Sequence, residues 1–170
     1  MKRPAICASA LLFFALASCG DDVRRTHFAD GSPWSELHYA DGRPNGALIT
    51  WHANGRKARE GTYVDGYEHD VWRTWGEDGT LLLEATYERG RANGPWSEWW
   101  PNGNLKFRGT YREGRPDGAW AEFWNDGGRA IEANYSGGKP HGDTRMFDKS
   151  GALVVTDTYA DGVFVRRKRP

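Results

Sequence analysis

A repeat of 24 residues constrains this chain more than any other feature of it. Sliding the sequence by that step aligns Tyr39, Tyr63, Tyr87, Tyr111, Tyr135 and Tyr159 without an insertion, which takes in all but one of the seven tyrosines. Gly42, Gly66, Gly90, Gly114, Gly138 and Gly162 each follow three residues later, and a second series, Gly31, Gly55, Gly79, Gly103, Gly127 and Gly151, keeps the same step. Near the start of the unit stand Trp51, Trp75, Trp99, Phe123 and Phe147. A fixed period of this length marks stacked supersecondary units, none of which buries its apolar side alone.

Each unit reads as a β-hairpin. Asn or Asp precedes Gly31, Gly55, Gly79, Gly103 and Gly127, and Ser precedes Gly151. Asn-Gly or Asp-Gly between strand-like runs suits a three-residue loop, a type I turn closed by a left-handed residue. Strict alternation along Leu105 to Arg112 then puts Leu105, Phe107, Gly109 and Tyr111 on one face, with Lys106, Arg108, Thr110 and Arg112 on the other. On that reading Trp99 lies across from Leu105 and shares the tyrosine face. The small residue in each unit, Gly61, Ala85, Gly109 or Ala133, leaves room for a ring to lie over the strand. Trp72, Trp96 and Trp120 are expected on the opposite face. With Trp100 and Trp124 they form a candidate binding stripe, and cation stacking within the sheet is the competing structural explanation.

The run from Gly94 to Gly114, GPWSEWWPNGNLKFRGTYREG, has the pattern G-x-W-x-x-W-x-x-N-G-x-x-x-x-x-G-x-Y-x-x-G. It resembles the bacterial variant of the MORN repeat, as found in YwqK-like proteins, and the register extends the resemblance from about Arg24 to Val165. The pattern departs at the ends, where Arg24 and His27 replace aromatics and Thr144 replaces tryptophan, as capping units would. The resemblance implies an all-β, elongated, twisted antiparallel β-meander that associates with proteins or membranes, without a catalytic motif. Some relatives are regarded as antitoxins, so the resemblance also implies a toxin-neutralising or immunity-type alternative.

The N-terminus gives an address. Lys2 and Arg3 precede the apolar stretch Ala5 to Leu16, and Leu16-Ala17-Ser18-Cys19 closes it. The stretch is shorter than the roughly 20 residues that cross a bilayer, and it ends in a box similar to that of bacterial lipoproteins. Residues 1–18 are expected to be removed as a signal peptide. Cys19 then carries lipid, 19–23 form a linker, 24–165 the repeats and 166–170 a basic tail. The expected home is the cell envelope, with the outer membrane favoured over the inner because Gly20 follows Cys19. Cys7 leaves with the signal and Cys19 is lipidated, so no disulfide is expected.

Loss of residues 1–18 removes Lys2 and Arg3 and no acid, leaving 21 basic residues against 23 acidic and a formal charge of −2. That balance gives no reason to expect nucleic acid as a partner. His27, His38, His52, His69 and His141 fall at no metal-ligand spacing, and no nucleophile or phosphate-loop motif occurs. Glu60, Glu84 and Glu132 share one repeat position, and Glu98 and Glu122 another, which suits a solvated ladder better than an acid/base pair. The expectation is a non-enzymatic, membrane-anchored protein without metal or cofactor, whose sheet binds a protein or envelope component. A glycan-binding or hydrolytic protein using the tryptophan stripe ranks last.

Overall fold

The computed structural model describes residues 22–170, so the signal segment and Cys19 lie outside the described residues. Fifteen strands, with no helix among the described residues, form one open antiparallel sheet. In chain order they are β1 (Asp22–His27), β2 (Pro33–Ala40), β3 (Arg43–Trp51), β4 (Lys57–Val64), β5 (Tyr67–Trp75), β6 (Leu81–Glu88), β7 (Arg91–Trp99), β8 (Leu105–Arg112), β9 (Arg115–Pro116), β10 (Gly118–Phe123), β11 (Arg129–Ser136), β12 (Lys139–Pro140), β13 (Gly142–Phe147), β14 (Leu153–Ala160) and β15 (Val163–Lys168). Each pairs with its sequence neighbour, the short β9 and β12 being the first rungs of the strands that continue as β10 and β13. The tandem hairpins expected from the period, and the all-β antiparallel meander that the resemblance implies, are the observed architecture.

Two kinds of turn alternate along it. Within a unit, the Trp100 N–H donates to the Asn104 carbonyl, the Gly103 N–H donates to the Trp100 carbonyl, both at 2.8 Å, and Gly103 has φ +84°. This is the three-residue loop expected at Pro101-Asn102-Gly103. Between units, Asp41-Gly42, Asp65-Gly66, Arg89-Gly90, Glu113-Gly114, Gly137-Gly138 and Asp161-Gly162 all have positive φ at both residues. They close two-residue loops, as Ala40 opposite Arg43 and Glu88 opposite Arg91 show. Such primed turns match the right-handed twist of the flanking strands. Gly66, Gly90 and Gly114 donate their N–H groups to the carbonyls of Pro44, Glu68 and Ala92 at 2.8–2.9 Å, so each turn is tied back to the preceding one.

A bulge in every hairpin overturns the expected assignment of faces. Glu98 pairs with Phe107 but Trp99 pairs with Leu105, which leaves Lys106 as an extra residue. Ala58, Leu82 and Ala130 occupy the same extra position in their units. An inserted residue breaks the period of two. Strict alternation carried through Lys106 therefore gives Trp99 the wrong side. Trp96 lies across from Gly109 and shares the face of Tyr111, whereas Trp99 shares the face of Ser97 and Arg108. Trp72, Trp96 and Trp120 are accordingly on the tyrosine face, not opposite it.

The rings of that face form the core of a sheet one layer thick. Tyr63, Trp72, Tyr87, Trp96, Tyr111, Trp120 and Tyr135 alternate across successive strands with neighbouring centroids 4.9–6.4 Å apart. Trp72 is 1 % exposed and Ala85, opposite it, 0 %. A Cβ on Gly61 would stand 2.1 Å from Trp72, and one on Gly109 2.6 Å from Trp120. The small residues do make room for rings, but the rings are these tryptophans rather than Trp75 and Trp99.

Arginines close the ladder at both ends. The Arg24 guanidinium stands 4.0 Å from the centre of the Tyr39 ring. At the far end Thr144 and Asp157 occupy the paired positions that hold Trp120 and Ala133 one unit earlier. Asp157 is 1 % exposed and accepts two hydrogen bonds from Arg167, both at 2.7 Å. Arg166, Arg167 and Lys168 therefore belong to β15 and not to a free basic tail. The buried carboxylate draws Arg167 onto the sheet, because a charge taken out of water needs a partner.

Candidate binding surfaces

The expected stripe divides between two environments. Trp72, Trp96 and Trp120 are ladder rings, and Trp72 is too buried to meet a ligand. Burial raises the Tyr63, Tyr87, Tyr111 and Tyr135 hydroxyls above their ordinary 10.0, so the face is a packed aromatic layer that keeps its phenols protonated. Trp100 and Trp124 instead stand beside the three-residue turns. The Trp100 indole N–H donates to the Phe123 carbonyl at 3.1 Å, and both rings line an open cleft.

The opposite face carries a row of paired charges. Across the sheet Arg25, Glu36, Ile49, Glu60, Arg73, Glu84, Ser97, Arg108, Ala121, Glu132, Arg145 and Thr156 face one another in turn. Arg25 meets Glu36 at 2.8 Å, and Arg73 meets Glu84 at 2.7 Å and Glu60 at 3.5 Å. Glu132 meets Arg129 at 2.8 Å and Arg145 at 3.6 Å. The hydrogen bond that Arg73 donates to Glu84 raises the guanidinium pKa above its ordinary value. Cross-strand pairs of opposite sign each contribute about 0.2–1 kcal/mol, so the row holds register as well as solubility.

Arg108 breaks the pattern. It stands where the other units have Glu60, Glu84 and Glu132, and its neighbours across the sheet are Ser97 and Ala121 instead of a carboxylate. The exposed guanidinium lies 5.7 Å from the centre of the Phe123 ring and makes no ion pair among the described residues. Small side chains on both sides leave a groove of about 470 Å³ around it, lined by Pro95, Ser97, Thr110, Ala119, Asn134 and Arg145 among others. The sequence carried a signal for this: a cation in a column that is acidic at Glu36, Glu60, Glu84 and Glu132, flanked one strand away by Ser and Ala.

Among the described residues no group of three or more His, Cys, Asp or Glu side chains is arranged to hold a metal ion. Glu60, Glu84 and Glu132 are committed to cationic neighbours. The arrangement offers a regular, ridged plane with one unpaired cation in a groove, which suits recognition.

Residues 92–113 match the family model of the MORN repeat variant. The match covers β7 from its second residue, the turn at Gly103 and β8, nearly one unit, and the same turn and bulge recur along the sheet. No curated protein matches the chain. A sheet of recurring hairpins, one of them matching the MORN repeat variant, suggests a binding role.

Proposed function

We propose that the mature protein is a lipid-anchored envelope protein whose repeat sheet docks another protein or an envelope component. The observation that carries the docking role is Arg108, the one member of the charged row left facing Ser97 and Ala121 in an open groove. A partner that presents a carboxylate there completes the pairing that every neighbouring cation of the row already has. Thirteen strand positions at about 4.8 Å each give a surface nearly 60 Å long, which fits a broad partner rather than a metabolite. The order of Lys2 and Arg3, the apolar stretch and Leu16-Ala17-Ser18-Cys19 supports anchoring through Cys19, with the outer membrane favoured. More than one acyl chain holds stably where one binds marginally.

Two measurements test this reading. Wild type and Cys19→Ala are fractionated with a label for lipid attachment; wild type is expected in the membrane fraction with lipid and the variant in neither state. A soluble, unlipidated wild type refutes the anchor. For the docking role, a photo-crosslinker at Thr110 in intact cells is expected to give a defined adduct that Arg108→Ser abolishes. An unchanged adduct in Arg108→Ser refutes the assignment of the groove. Suppression of a toxin only when this chain is co-expressed would favour the toxin-neutralising alternative that YwqK-like relatives suggest.

A further inference from the structure

The cleft beside the turns of two adjacent units contains one satisfied site and one open copy of it. Its volume is about 430 Å³, and Glu98, Trp100, Lys106, Glu122, Trp124 and Ala130 line it. These residues fall into two sets related by the repeat: Glu98, Trp100 and Lys106 in one unit, then Glu122, Trp124 and Ala130 exactly one period later. In the first set the Lys106 ammonium donates to the Glu98 carboxylate at 3.2 Å and lies 5.3 Å from the centre of the Trp100 ring. In the second set the lysine is replaced by Ala130, and among the described residues no hydrogen bond, ion pair or ring-stacked cation engages the side chains of Glu122 and Trp124.

Both lysine and alanine occupy the bulge, so backbone geometry is the same at the two places. Lys106 is the extra residue between the pairs Glu98–Phe107 and Trp99–Leu105, and Ala130 is the extra residue between Glu122–Ile131 and Phe123–Arg129. Two carboxylates against one ammonium give the cleft a formal charge of −1. Glu122 is exposed, and its only cationic neighbour in the cleft is Lys106, already held by Glu98. A carboxylate next to an aromatic face is the combination that selects an alkylammonium, through charge and cation–π attraction together.

From this we infer that Glu122 and Trp124 form a binding site for a lysine side chain of a partner protein, occupying the space that Lys106 fills one unit earlier. The aliphatic stem of the incoming lysine lies along Ala130 and its ammonium bonds to Glu122. The inference rests on the docking reading only for the source of the lysine. The chemical site is testable without any partner, and its failure leaves the Arg108 groove untouched.

The experiment follows the indole N–H signals of the folded chain by NMR during titration with Nα-acetyl-lysine-N-methylamide. Wild type is expected to show saturable shifts centred on Trp124, with none from the norleucine analogue, which keeps the stem and lacks the charge. Glu122→Gln, at an exposed position, is expected to weaken binding at least fivefold. Ala130→Lys supplies the occupant from within and is expected to abolish it, with Lys106 as its precedent at the same register. Equal shifts with the norleucine analogue, undiminished binding in either variant, or no saturable shift at Trp124 overturns the inference. So does movement of the same signals by phosphatidylethanolamine vesicles when the lysine amide leaves them still, which would reassign the site to a lipid headgroup.

Discussion

Adding one methyl group to Gly61 is expected to destabilise the sheet, although alanine is normally the better strand residue. An alanine Cβ there would stand 2.1, 2.4 and 2.5 Å from three atoms of the Trp72 indole. Carbon atoms pack at about 3.5–4.0 Å, so the ring would have to move by more than 1 Å. Its exits are closed: Tyr63 is 5.0 Å away, Tyr87 6.4 Å and the Arg59 guanidinium 4.3 Å, and Ala85 lies across the next strand. Overpacking of this kind costs about 1–3 kcal/mol, and the close fit puts Gly61→Ala in the upper half. Relief of glycine's backbone entropy returns about 0.5–1 kcal/mol, leaving a net loss of about 1–2 kcal/mol. Urea unfolding is the assay, with a lower midpoint at an unchanged slope expected. The mechanism is checked by a double-mutant cycle with Trp72→Leu, since Leu48 occupies the corresponding place one unit earlier, opposite Leu37. Gly61→Ala should cost much less in the leucine background. If the two substitutions add without coupling, or if Gly61→Ala is neutral in wild type, the reasoning about the ring is refuted.

Asp70 has φ +58° where the other units carry Gly46, Gly94, Gly118 and Gly142; Asp70→Gly should therefore stabilise by up to about 1 kcal/mol in the same urea assay. Gly94→Ala should do the reverse, because φ is +131° and its Cβ would meet Thr86 at 2.9 Å, with a loss of about 1–3 kcal/mol. The Arg167 hydrogen bonds hold the Asp157 carboxyl below its ordinary 3.8. A depressed folded pKa gives stability that is complete above the unfolded value and lost as pH falls through the folded one. Hydrogen-exchange protection in β14 and β15, corrected for the intrinsic rate, should fall in acid, and Arg167→Gln should remove that dependence and lower protection at neutral pH. The ladder tyrosines have the opposite sign. Their folded pKa values are raised above 10.0 by burial, so stability is complete below that value and declines as pH climbs through the folded ones. Tyrosinate absorbance and loss of near-ultraviolet dichroism should then rise together above about pH 10.

The period was legible because each unit needs the same turn, and a turn demands particular residues. Gly103 after Pro101-Asn102 and Tyr111 after Gly109 state the hairpin outright. The faces were not legible, since a bulge leaves no mark of its own: Lys106, Ala130 and Leu82 share the position and have no chemistry in common. One unannounced residue is enough to exchange the roles of Trp96 and Trp99. The turns between units hid for a different reason. Arg89 and Glu113 take left-handed conformations that their side chains do not favour, and the hydrogen bonds that hold them there come from the neighbouring unit.

The same asymmetry separates what is structural in this sheet from what is available. Where consecutive units repeat a residue, as in the tyrosines and the tryptophans over Gly61 and Gly109, the side chain packs on the other ring of the ladder one strand away, and repetition marks packing. Where a unit departs from its neighbours, a partner group inside the sheet goes missing. At the ends the chain supplies a substitute: Arg24 on Tyr39, Arg167 on Asp157. In the middle it does not. Arg108 stands in an acidic column without a carboxylate, and Glu122 stands by Trp124 without a lysine. Both departures fall within the stretch from β7 to β11, which also contains the unit matching the MORN repeat variant. They leave opposite charges unpaired, a guanidinium on the charged face and a carboxylate by the turns. Arg108 pairs with Ala121 and Glu122 with Phe107, so the two groups stand on opposite faces of the sheet and make separate demands. Reversing both charges together, as Arg108→Glu with Glu122→Lys, preserves net charge while exchanging the two demands. It should abolish docking of the natural partner without loss of stability, and docking retained by that double variant would show that neither departure serves recognition.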